Sequence, residues 1–444
     1  MTFDVIVLGA GPGGLAAAVT GARCGLRVCL VDALDRLGGN AAISTGYVSV
    51  LGSDEQLSAG IQDTAELFVH DLRREVDQYR DEHEVEFDEQ LAREFCLRTT
   101  AVYRLLRELG CTFDGFVNKP AQHSVPRLLK VSDPDLFRRL FARECARLGI
   151  TTYLGTTATA LGTENGRVAK VTVRDAQGGE QTVHASSGVV VTTGGYQANP
   201  AMRKESRADL ADSAHLGVET CVGAGQQMMA RLGAPLTNMG FLPSIVMIGS
   251  ALAEDTICVA ADGRRHYDET GPSEDRNQYV GHAEGPLYYV FDHRAYERYP
   301  NLVGQFPEPV LAAGSLAELA GLIGCDGAGR ARTVDEWNRT VATGSVPDEV
   351  GRVILPPSAQ GIVTPPFHAT RCRIGSAFTI GGVRIDSGGR VLDAGAKPIP
   401  GLYAAGDCVG SLNASSGTAG VHLTSALAFG QAAAETLVAE AARR

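Results

Sequence analysis

The sequence predicts an α/β fold with a mainly parallel sheet, interrupted by an inserted α+β domain. Three observations predict it: a strand–glycine turn–helix–strand unit at residues 4–32, a buried strand that ends in small residues at 188–195, and strand-like sequence that resumes after about residue 382. Between these, the strand and helix alternation is lost. We expect a first domain formed by residues 1–239 and 359–444, and an inserted domain at 240–358.

The first unit carries the most specific pattern. Residues 4–8 form a short apolar run that leads directly into the glycine-rich segment 9–14, and Ala-rich sequence with helical spacing follows. A second apolar run, residues 27–31, ends at Asp32. This order of strand, glycine turn, helix, strand and acid is typical of a unit that holds a dinucleotide, although alone it does not separate FAD from NAD.

Each glycine of the turn has a predicted task. Gly9 allows the tight turn, Gly11 lets a pyrophosphate approach the backbone, and Gly14 lets the helix pack against the strand. The helix N-terminus offers free N–H groups to the phosphates. Asp32 is placed to accept a hydrogen bond from a ribose 2′-hydroxyl.

The remaining elements follow in order. Residues 36–46 form a small-residue loop that can lie along an extended cofactor, and residues 54–108 are charged with a helical period. We expect a helix at 135–148, antiparallel strands at 167–173 and 181–184, a parallel strand at 188–195, strands at 382–386, 389–393 and 399–407, and a final helix at 420–442.

Net charge, cysteine spacing and the length of the apolar segments indicate which partners and which cellular location to expect. The formal net charge of −11 over 444 residues argues against nucleic acid and against an anionic membrane surface as partners. The ten cysteines never form a CxxC pair, so we expect buried thiols, no metal site and no disulfide framework. The first strand begins by residue 4 and no apolar stretch has transmembrane length, so we expect no signal peptide, no transmembrane segment and a cytoplasmic location.

Several blocks carry a resemblance to known flavoproteins. The run 402–407, which ends in Gly406 and Asp407, resembles the second FAD fingerprint of two-dinucleotide flavoproteins, in which the acid bonds to the ribityl chain. Four blocks in order resemble the fumarate reductase/succinate dehydrogenase flavoprotein family; they are 9–14, 38–46, 193–196 with 199–200, and 398–407. Further motifs at 263–269, 366–369, 378–382 and 419–425 are similar to tricarballylate dehydrogenase-like and 3-ketosteroid dehydrogenase-like members.

The resemblance implies a Rossmann-like FAD-binding domain of the two-dinucleotide type with an inserted capping domain that holds the substrate. It also implies hydride transfer between a substrate carbon and flavin N5, next to a carbonyl or carboxylate group. FAD is expected to be noncovalent, since no histidine lies between Gly39 and Gly46. The expected FAD-binding residues are Gly9, Gly11, Pro12, Gly13, Gly14, Asp32, Ala33, Gly38, Gly39, Asn40, Ala41, Ser44, Thr45, Gly46, Thr193, Gly194, Gly406, Asp407, Ala419, Gly420 and Val421.

Two departures from the family bear on the substrate. Fumarate reductases carry a histidine pair where this chain has Ala377 and Phe378, and an arginine where it has the stretch 416–419. Two clamps for a dicarboxylate are therefore missing. We expect a substrate other than fumarate or succinate, with an anionic or carbonyl group.

The catalytic candidates are Arg276, His368, His422 and Tyr279. Arg276 matches the family's capping-domain arginine and can bind a substrate oxygen through its fork or deliver a proton; the alternative is a surface arginine paired with a neighbouring acid. The two histidines are titratable groups near the expected flavin face, and each can instead be a packed core residue. Tyr279 is a further possible acid, though most buried tyrosines are merely packed.

Other readings stay open at this point. An amine or amino-acid oxidase uses the same cofactor, and a non-catalytic flavin-binding subunit would need no substrate lid. The sequence contains no CxxCH haem motif and no second GxGxxG. Electrons are therefore expected to pass to a separate acceptor: oxygen, a quinone or a partner protein.

Overall fold

The computed structural model describes residues 2–44, 46–77, 85–114, 123–133, 135–211, 213–215, 217–242, 245–248, 250–271, 273–304, 306–325, 327–352, 355, 359–376, 378–410 and 418–443. The chain divides into two compact units. The first comprises Met1–Ala211, Gly217–Pro243 and Phe378–Arg444, and the second comprises Asp212–Leu216 and Ser244–Ala377.

The strands of the described residues are, in chain order, β1 Thr2–Leu8, β2 Val28–Val31, β3 Tyr47–Ser49, β4 Leu128–Lys130, β5 Thr151–Tyr153, β6 Thr157–Glu164, β7 Arg167–Arg174, β8 Glu180–Val191, β9 Ala214–His215, β10 Leu236–Thr237, β11 Ile245–Val246, β12 Ile257–Val259, β13 Tyr288–Phe291, β14 Leu311–Ala313, β15 Phe367–Arg371, β16 Ile374–Ser376, β17 Gly382–Val383, β18 Arg390–Leu392 and β19 Pro398–Ala404.

The α-helices are α1 Pro12–Arg23, α2 Asp54–Ser58, α3 Ala65–Asp77, α4 Glu89–Leu109, α5 Asp135–Arg147, α6 Pro200–Ser206, α7 Ala224–Ala230, α8 Ser250–Glu254, α9 Ser273–His282, α10 His293–Arg298, α11 Pro300–Val303, α12 Leu316–Ile323, α13 Gly327–Thr343 and α14 Val421–Ala441. Short 3₁₀ helices lie at Gly39–Ile43 and Ala208–Leu210. Among the helices of this described part, none combines the length and apolar character that crossing a bilayer requires.

The main sheet of the first unit has the strand order β18-β19-β8-β1-β2-β5, in which β18 pairs antiparallel with β19 and the other neighbours pair in parallel. The strands β1 and β2 and the C-terminal half of β8 are runs of valine, isoleucine and leucine that are buried along most of their length. Such continuous apolar runs are typical of parallel strands covered on both faces. The predicted parallel α/β core is confirmed.

Strand β8 has two pairing modes. Its first half, residues 180–184, runs antiparallel to β7, as the sequence predicted, and its second half runs parallel to β1. The sequence analysis placed two separate strands at 181–184 and 188–195, whereas the structure has one continuous strand that ends at Val191. The register between β8 and β1 shifts between Ala185 and Gly188, so a local irregularity within the small residues 185–188 joins the two halves in one strand.

Helices α1 and α14 pack closely together against this sheet. A Cβ on Gly430 of α14 would overlap the carbonyl oxygen of Gly13 in α1, so the two backbones approach more closely than any other residue would allow. The predicted final helix at 420–442 is confirmed as α14, and its alanines are mostly buried. The first turn of α1 consequently packs against the middle of α14.

The second unit contains an antiparallel sheet in the order β12-β13-β15-β14 and a three-stranded sheet, β11-β16-β9. The sequence analysis assigned residues 359–377 to the first domain, but β15 pairs with β13 and β14, and β16 pairs with β11. These backbone hydrogen bonds join the segment to the second unit, so the return into the first unit lies at Phe378. Single-sequence patterns do not show which partner a strand pairs with.

Candidate functional site

The carboxyl ends of four parallel strands are aligned by their hydrogen-bond register. Leu8 at the end of β1 pairs with Val31 on one side and with Val191 on the other, and Val191 pairs with Ala404 of β19. The segments that follow these four residues therefore leave the sheet at the same edge. In parallel α/β sheets this edge is where ligands bind.

The glycine turn between β1 and α1 has the geometry that the sequence predicted. Gly9 has a φ of +103°, and a Cβ there would overlap the carbonyl oxygen of Thr192. A Cβ on Gly14 would overlap the carbonyl oxygen of Gly9, whereas nothing lies within 4 Å of the Cβ position of Gly11. Gly9 and Gly14 thus serve close packing, and the space above Gly11 is open for a ligand.

The first turn of α1 is free for an anion. Pro12 occupies the start of the helix, and Gly11 at the N-cap provides no side chain to satisfy the terminal N–H groups. Gly13 follows, and its Cβ position lies 3.5 Å from the Cβ of Ala405. The N-terminal glycine turn and the C-terminal fingerprint are therefore direct neighbours, as a single dinucleotide requires.

Asp32 is buried at the end of β2. Its Oδ2 accepts a hydrogen bond from the Ala10 N–H at 2.5 Å, and its Oδ1 accepts one from the Leu34 N–H at 2.7 Å. Burial raises the pKa of Asp32, and these two hydrogen bonds oppose that rise. Each carboxylate oxygen keeps a further lone pair. Contact of Asp32 and the adjacent Ala33 with a ribose stays a prediction.

The loop 38–46 lies against the glycine turn. The Gly38 N–H donates to the Ala10 carbonyl at 2.8 Å, and the Cβ position of Gly39 lies 3.2 Å from the Gly11 Cα. This backbone contact supports the prediction that the loop, including the buried Ala41, borders the dinucleotide. Thr45, which was predicted to contact FAD, lies outside the described residues.

Two polar side chains of this loop have structural tasks. Asn40 Oδ1 accepts a hydrogen bond from the Val218 N–H at 2.8 Å and so ties the loop to a distant segment. Ser44 Oγ donates to the Ala41 carbonyl and accepts from the Gly46 N–H, which closes a local turn. If Asn40 and Ser44 contact FAD as predicted, the Asn40 amide and the Ser44 hydroxyl do so through the hydrogen-bonding positions that these contacts leave.

The segment after β8 carries a polar side chain without a partner. Thr193 Oγ1 is buried and has no hydrogen-bond partner among the described residues. Gly194, with a φ of +77°, turns its carbonyl oxygen toward Gln226, whose Nε2 lies 3.1 Å away. Gln226 Nε2 also lies 3.4 Å from the Asp407 carbonyl oxygen, so this glutamine joins the segments that follow β8 and β19.

The C-terminal fingerprint and α14 form the other side of the site. Gly406 has a φ of +78° and turns the chain at Asp407. His422, in the first turn of α14, lies with its Nδ1 3.5 Å from Asp407 Oδ1, and its ring centroid lies 4.1 Å from that of Phe378. The helix begins at Val421, and its N-cap residue Gly420 has no capping side chain.

These features test whether an FAD fits. Several of the buried polar atoms that lack a protein partner within the described part of the chain lie at this edge: Thr193 Oγ1, Gln226 Oε1, Thr418 Oγ1 and both ring nitrogens of His422. Buried polar groups in proteins are normally hydrogen-bonded. The same edge carries the uncapped N-termini of α1 and α14. An elongated, polar ligand with phosphate groups would provide partners for these polar atoms and for the helix N–H groups. The residues present therefore fit FAD.

Arg276 and Tyr279 lie together on α9 in the second unit. Arg276 Nη1 lies 3.3 Å from the Glu269 carbonyl oxygen. The Glu269 carboxylate is fully buried and accepts hydrogen bonds from Arg265 and Arg352, so it anchors this corner of the unit. Tyr279 stacks on neighbouring aromatic rings, and burial raises its pKa.

His368 lies on β15, away from this pair. It stacks on Tyr296 with ring centroids 4.4 Å apart, and its Nε2 lies 3.3 Å from His293 Nδ1. Burial and the neighbouring His293 lower the pKa of His368. His368 and Tyr279 are connected indirectly, through four intervening aromatic residues: Tyr267, Tyr289, Phe306 and Phe291. The structure therefore gives His368 the surroundings of a packed core histidine, and its catalytic role stays a prediction.

Several residues at the site have no sequence motif. Gln226 and Thr418 are single polar residues in ordinary surroundings. His123 Nε2 lies 3.2 Å from the Ala419 carbonyl oxygen, next to the first turn of α14. Only Arg127 is close to His123 in sequence, and Asp63 and Asp71 lie far before it, so no local signal marks this group.

Comparison with known proteins agrees with this geometry. Residues 4–423 match the model of a protein family described as FAD binding domain. The chain is 27% identical over 461 residues to a probable fumarate reductase of Shewanella frigidimarina, covering 98% of this chain and 74% of that protein. It is 26% identical over 529 residues to a 3-oxosteroid 1-dehydrogenase of Mycobacterium tuberculosis, covering 91% of this chain and 92% of that one.

A solved structure shows the same architecture. The open conformation of a flavocytochrome c3 fumarate reductase superposes with a TM-score of 0.76 at 25% sequence identity, covering 99% of this chain and 78% of that chain. The predicted fold class, an α/β FAD-binding fold, is thereby confirmed.

Proposed function

Because the chain belongs to the FAD binding domain family, we propose that it oxidises or reduces a carbon–carbon bond of a ketone or monocarboxylate rather than of a dicarboxylate. The chain is an FAD-dependent oxidoreductase, and its relatives support dehydrogenation or reduction next to a carbonyl or carboxylate group. The finer choice of substrate rests on the residues around α14 and not on the names of the relatives.

The observation that carries this choice is the contact between His422 and Phe378. The Phe378 ring occupies a position where the dicarboxylate-reducing members that the sequence resembles carry a histidine, and it packs against His422 with ring centroids 4.1 Å apart. Thr418 lies in the stretch where those members carry an arginine. An apolar ring and a neutral hydroxyl cannot neutralise a second carboxylate, so a site with these residues favours a less charged substrate.

Bound FAD supplies the hydride acceptor or donor of such a reaction. The chain supplies the groups that orient it: the glycine turn 9–14 and the loop 38–46 at one end, and the fingerprint 406–407 with the first turn of α14 at the other. The uncapped N-terminus of α14 favours negative charge, and a reduced, anionic ring held beside it would be stabilised by about 0.3–2 kcal/mol. This effect tunes the cofactor and does not create the reaction.

His422 is the residue of the first unit best suited to move a proton. Its ring nitrogens lack partners in the described structure, and Asp407 Oδ1 lies 3.5 Å from Nδ1. At 3.5 Å the Asp407 carboxylate is not hydrogen-bonded to Nδ1, but its charge favours a proton on that nitrogen, which leaves Nε2 to accept or donate a substrate proton. When the reacting carbon is next to a ketone, negative charge develops on the ketone oxygen as an enolate forms. That oxygen must be hydrogen-bonded or protonated, so the reaction needs a proton donor such as His422.

Arg276 is proposed as the oxygen-binding group of the second unit. One of its nitrogens lies near the Glu269 carbonyl oxygen, and a guanidinium is the side-chain group suited to grip a carboxylate through two parallel donors or to bind a ketone oxygen through one. A guanidinium essentially never loses its proton, so charge stabilisation is the role that its chemistry favours over proton delivery.

We also propose a separate electron acceptor and a cytoplasmic location. All ten cysteines are free, and most are buried, which is typical of proteins from reducing compartments. Fractionation of cells with markers for each compartment tests the location. Oxygen consumption, quinone reduction and dye reduction, measured side by side with one substrate, test the acceptor.

The proposed reaction is tested by turnover with the FAD-loaded protein. An artificial dye accepts electrons from saturated ketones and monocarboxylates in one direction, and a reduced viologen drives unsaturated substrates in the other. We expect turnover of at least one enone or monounsaturated acid and none of fumarate or succinate. Turnover of either dicarboxylate would contradict the proposed substrate class, and amine-dependent peroxide formation would favour an oxidase.

A further inference from the structure

A buried charged cluster lies behind the first turn of α14. Arg127 is fully buried, and its guanidinium binds Asp63 through Nε and Nη2 at 2.8 and 2.9 Å and contacts Asp71 through Nη1. The guanidinium carbon also lies 4.4 Å from the ring centroid of Phe68. Two carboxylates and an aromatic face therefore fix Arg127 in one orientation, which a solvent-exposed arginine would not keep.

His123 connects this cluster to α14. Arg127 Nη1 lies 3.1 Å from His123 Nδ1, and His123 Nε2 lies 3.2 Å from the Ala419 carbonyl oxygen. Burial, reinforced by the charge of Arg127, lowers the pKa of His123 to about 4, so the ring is neutral near neutral pH. Since a guanidinium can only donate, Nδ1 accepts, and Nε2 carries the proton that is donated to Ala419.

The Ala419 carbonyl is held from two sides. Ser49 Oγ donates to the same oxygen at 2.6 Å. Gly420, which has a φ of +79°, packs so closely that a Cβ would come within 2.7 Å of the Ser49 nitrogen. A trans peptide is planar, so when the Ala419 carbonyl points toward His123 and Ser49, the Gly420 N–H points the opposite way. The orientation of this peptide is thus fixed by His123 and Ser49.

We propose that His123 is a positioning residue for the flavin, which fixes the Ala419–Gly420 peptide so that its N–H and the uncapped turn of α14 face the bound ring. The proposal rests on FAD binding at this edge, for which Thr418 and His422, on either side of Gly420, provide the partnerless polar atoms. Without the hydrogen bond from His123, the Ala419–Gly420 peptide would be less firmly oriented. Reduced flavin is anionic and would lose more stabilisation from this N–H than oxidised flavin would. His123 therefore raises the reduction potential without contacting the cofactor.

The test compares His123→Phe with His123→Gln in the FAD-loaded protein. Phenylalanine keeps the aromatic packing beside Phe68 but cannot donate, whereas glutamine can accept from Arg127 and donate to Ala419. The matched control is Tyr403→Phe, which removes a hydrogen bond to Glu440 elsewhere in the same unit. The midpoint potential of the bound flavin, the affinity for oxidised FAD and the visible circular dichroism spectrum are measured for each.

We expect reduced FAD to lose about tenfold in affinity relative to oxidised FAD in His123→Phe, which is a fall of about 30 mV for a two-electron couple. His123→Gln and Tyr403→Phe should keep the wild-type potential. A wild-type potential in a folded His123→Phe would overturn the proposal. If His123→Phe does not fold, Ser49→Ala removes the second donor to the same carbonyl and must lower the potential; an unchanged potential there would overturn it equally. Failure to bind FAD in the wild type would instead refute the proposed function.

Discussion

Asp407 and His422 lie 3.5 Å apart through Oδ1 and Nδ1, and they come from different elements of the first unit. Asp407 follows β19, and His422 belongs to the first turn of α14. We propose that Asp407, which the sequence resemblance assigns to the ribityl chain, also favours the His422 tautomer that transfers a proton, so that one carboxylate serves cofactor binding and chemistry.

Replacing His422 should separate these two tasks. We expect His422→Phe to reduce turnover by about 10²–10⁴-fold, the usual contribution of a positioned general acid or base, because phenylalanine packs against Phe378 but cannot transfer a proton. FAD affinity should fall by much less than turnover, because Thr193, Gln226 and Thr418 remain to contact the cofactor. Steady-state turnover and FAD titration of the same preparation check both statements, with Tyr403→Phe as the control. Undiminished turnover would remove His422 from the catalytic residues.

Two glycines of the turn should respond differently to the same change. Gly14→Ala places a methyl group against the Gly9 carbonyl, so we expect a lower melting temperature and poor FAD binding. Gly11→Ala has open space and an ordinary extended backbone, so the fold should be kept while FAD affinity falls at least about tenfold, or about 1.4 kcal/mol.

Gly240→Ala is the control for this pair, because nothing lies within 4 Å of its Cβ position. Melting curves of the protein without added FAD and fluorescence titrations with FAD distinguish the two effects. Equal FAD affinity in Gly11→Ala and the control would show that the cofactor does not pass over Gly11.

Arg276→Lys tests the oxygen-binding role. Lysine keeps the charge but cannot provide two parallel donors, so we expect kcat/KM for a carboxylate substrate to fall by about tenfold or more, with a smaller loss for a ketone. Arg371→Lys, at an exposed position on β15, is the control for the same substitution. Full activity of Arg276→Lys on a carboxylate would refute the role.

Glu75 should give the stability a distinct pH dependence. Burial raises its pKa from 4.5 to about 7, an effect that Arg74 opposes. Between these values the folded protein keeps a proton that the unfolded chain has released, so this group makes stability fall as the pH rises through that window. Above it the cost reaches at most about 3 kcal/mol, since one pKa unit corresponds to about 1.4 kcal/mol.

The Glu75→Gln variant removes that cost. We expect its melting temperature to equal that of the wild type below pH 4.5 and to exceed it increasingly up to about pH 7. Glu284→Gln, an exposed position, makes the same change of charge and serves as the control. A difference between Glu75→Gln and the wild type that does not vary with pH would contradict the assignment.

The sequence predicted the parts of the site that have local patterns. The glycine turn, Asp32 and the pair Gly406 and Asp407 could be found because their tasks depend on neighbours in sequence. The surroundings of His368 could not be predicted, because they are made by rings on β13 and α10. The same holds for His123, whose contact with the Ala419 carbonyl depends on long-range packing.

The domain boundary shows the same limit. A strand such as β15 has the same apolar pattern whichever sheet it joins, and only its hydrogen bonds to β13 and β14 assign it to the second unit. Spacing alone therefore predicts that a strand exists, and tertiary pairing decides where it belongs.

We propose that both ends of the chain hold one noncovalent FAD. The flavin content of the protein after loading with FAD and gel filtration tests this proposal. We expect one FAD per chain, full release of yellow flavin on acid precipitation, and loss of bound flavin in both Gly11→Ala and Asp407→Ala. Protein that stays colourless after loading would contradict it, as would flavin retention that neither substitution changes.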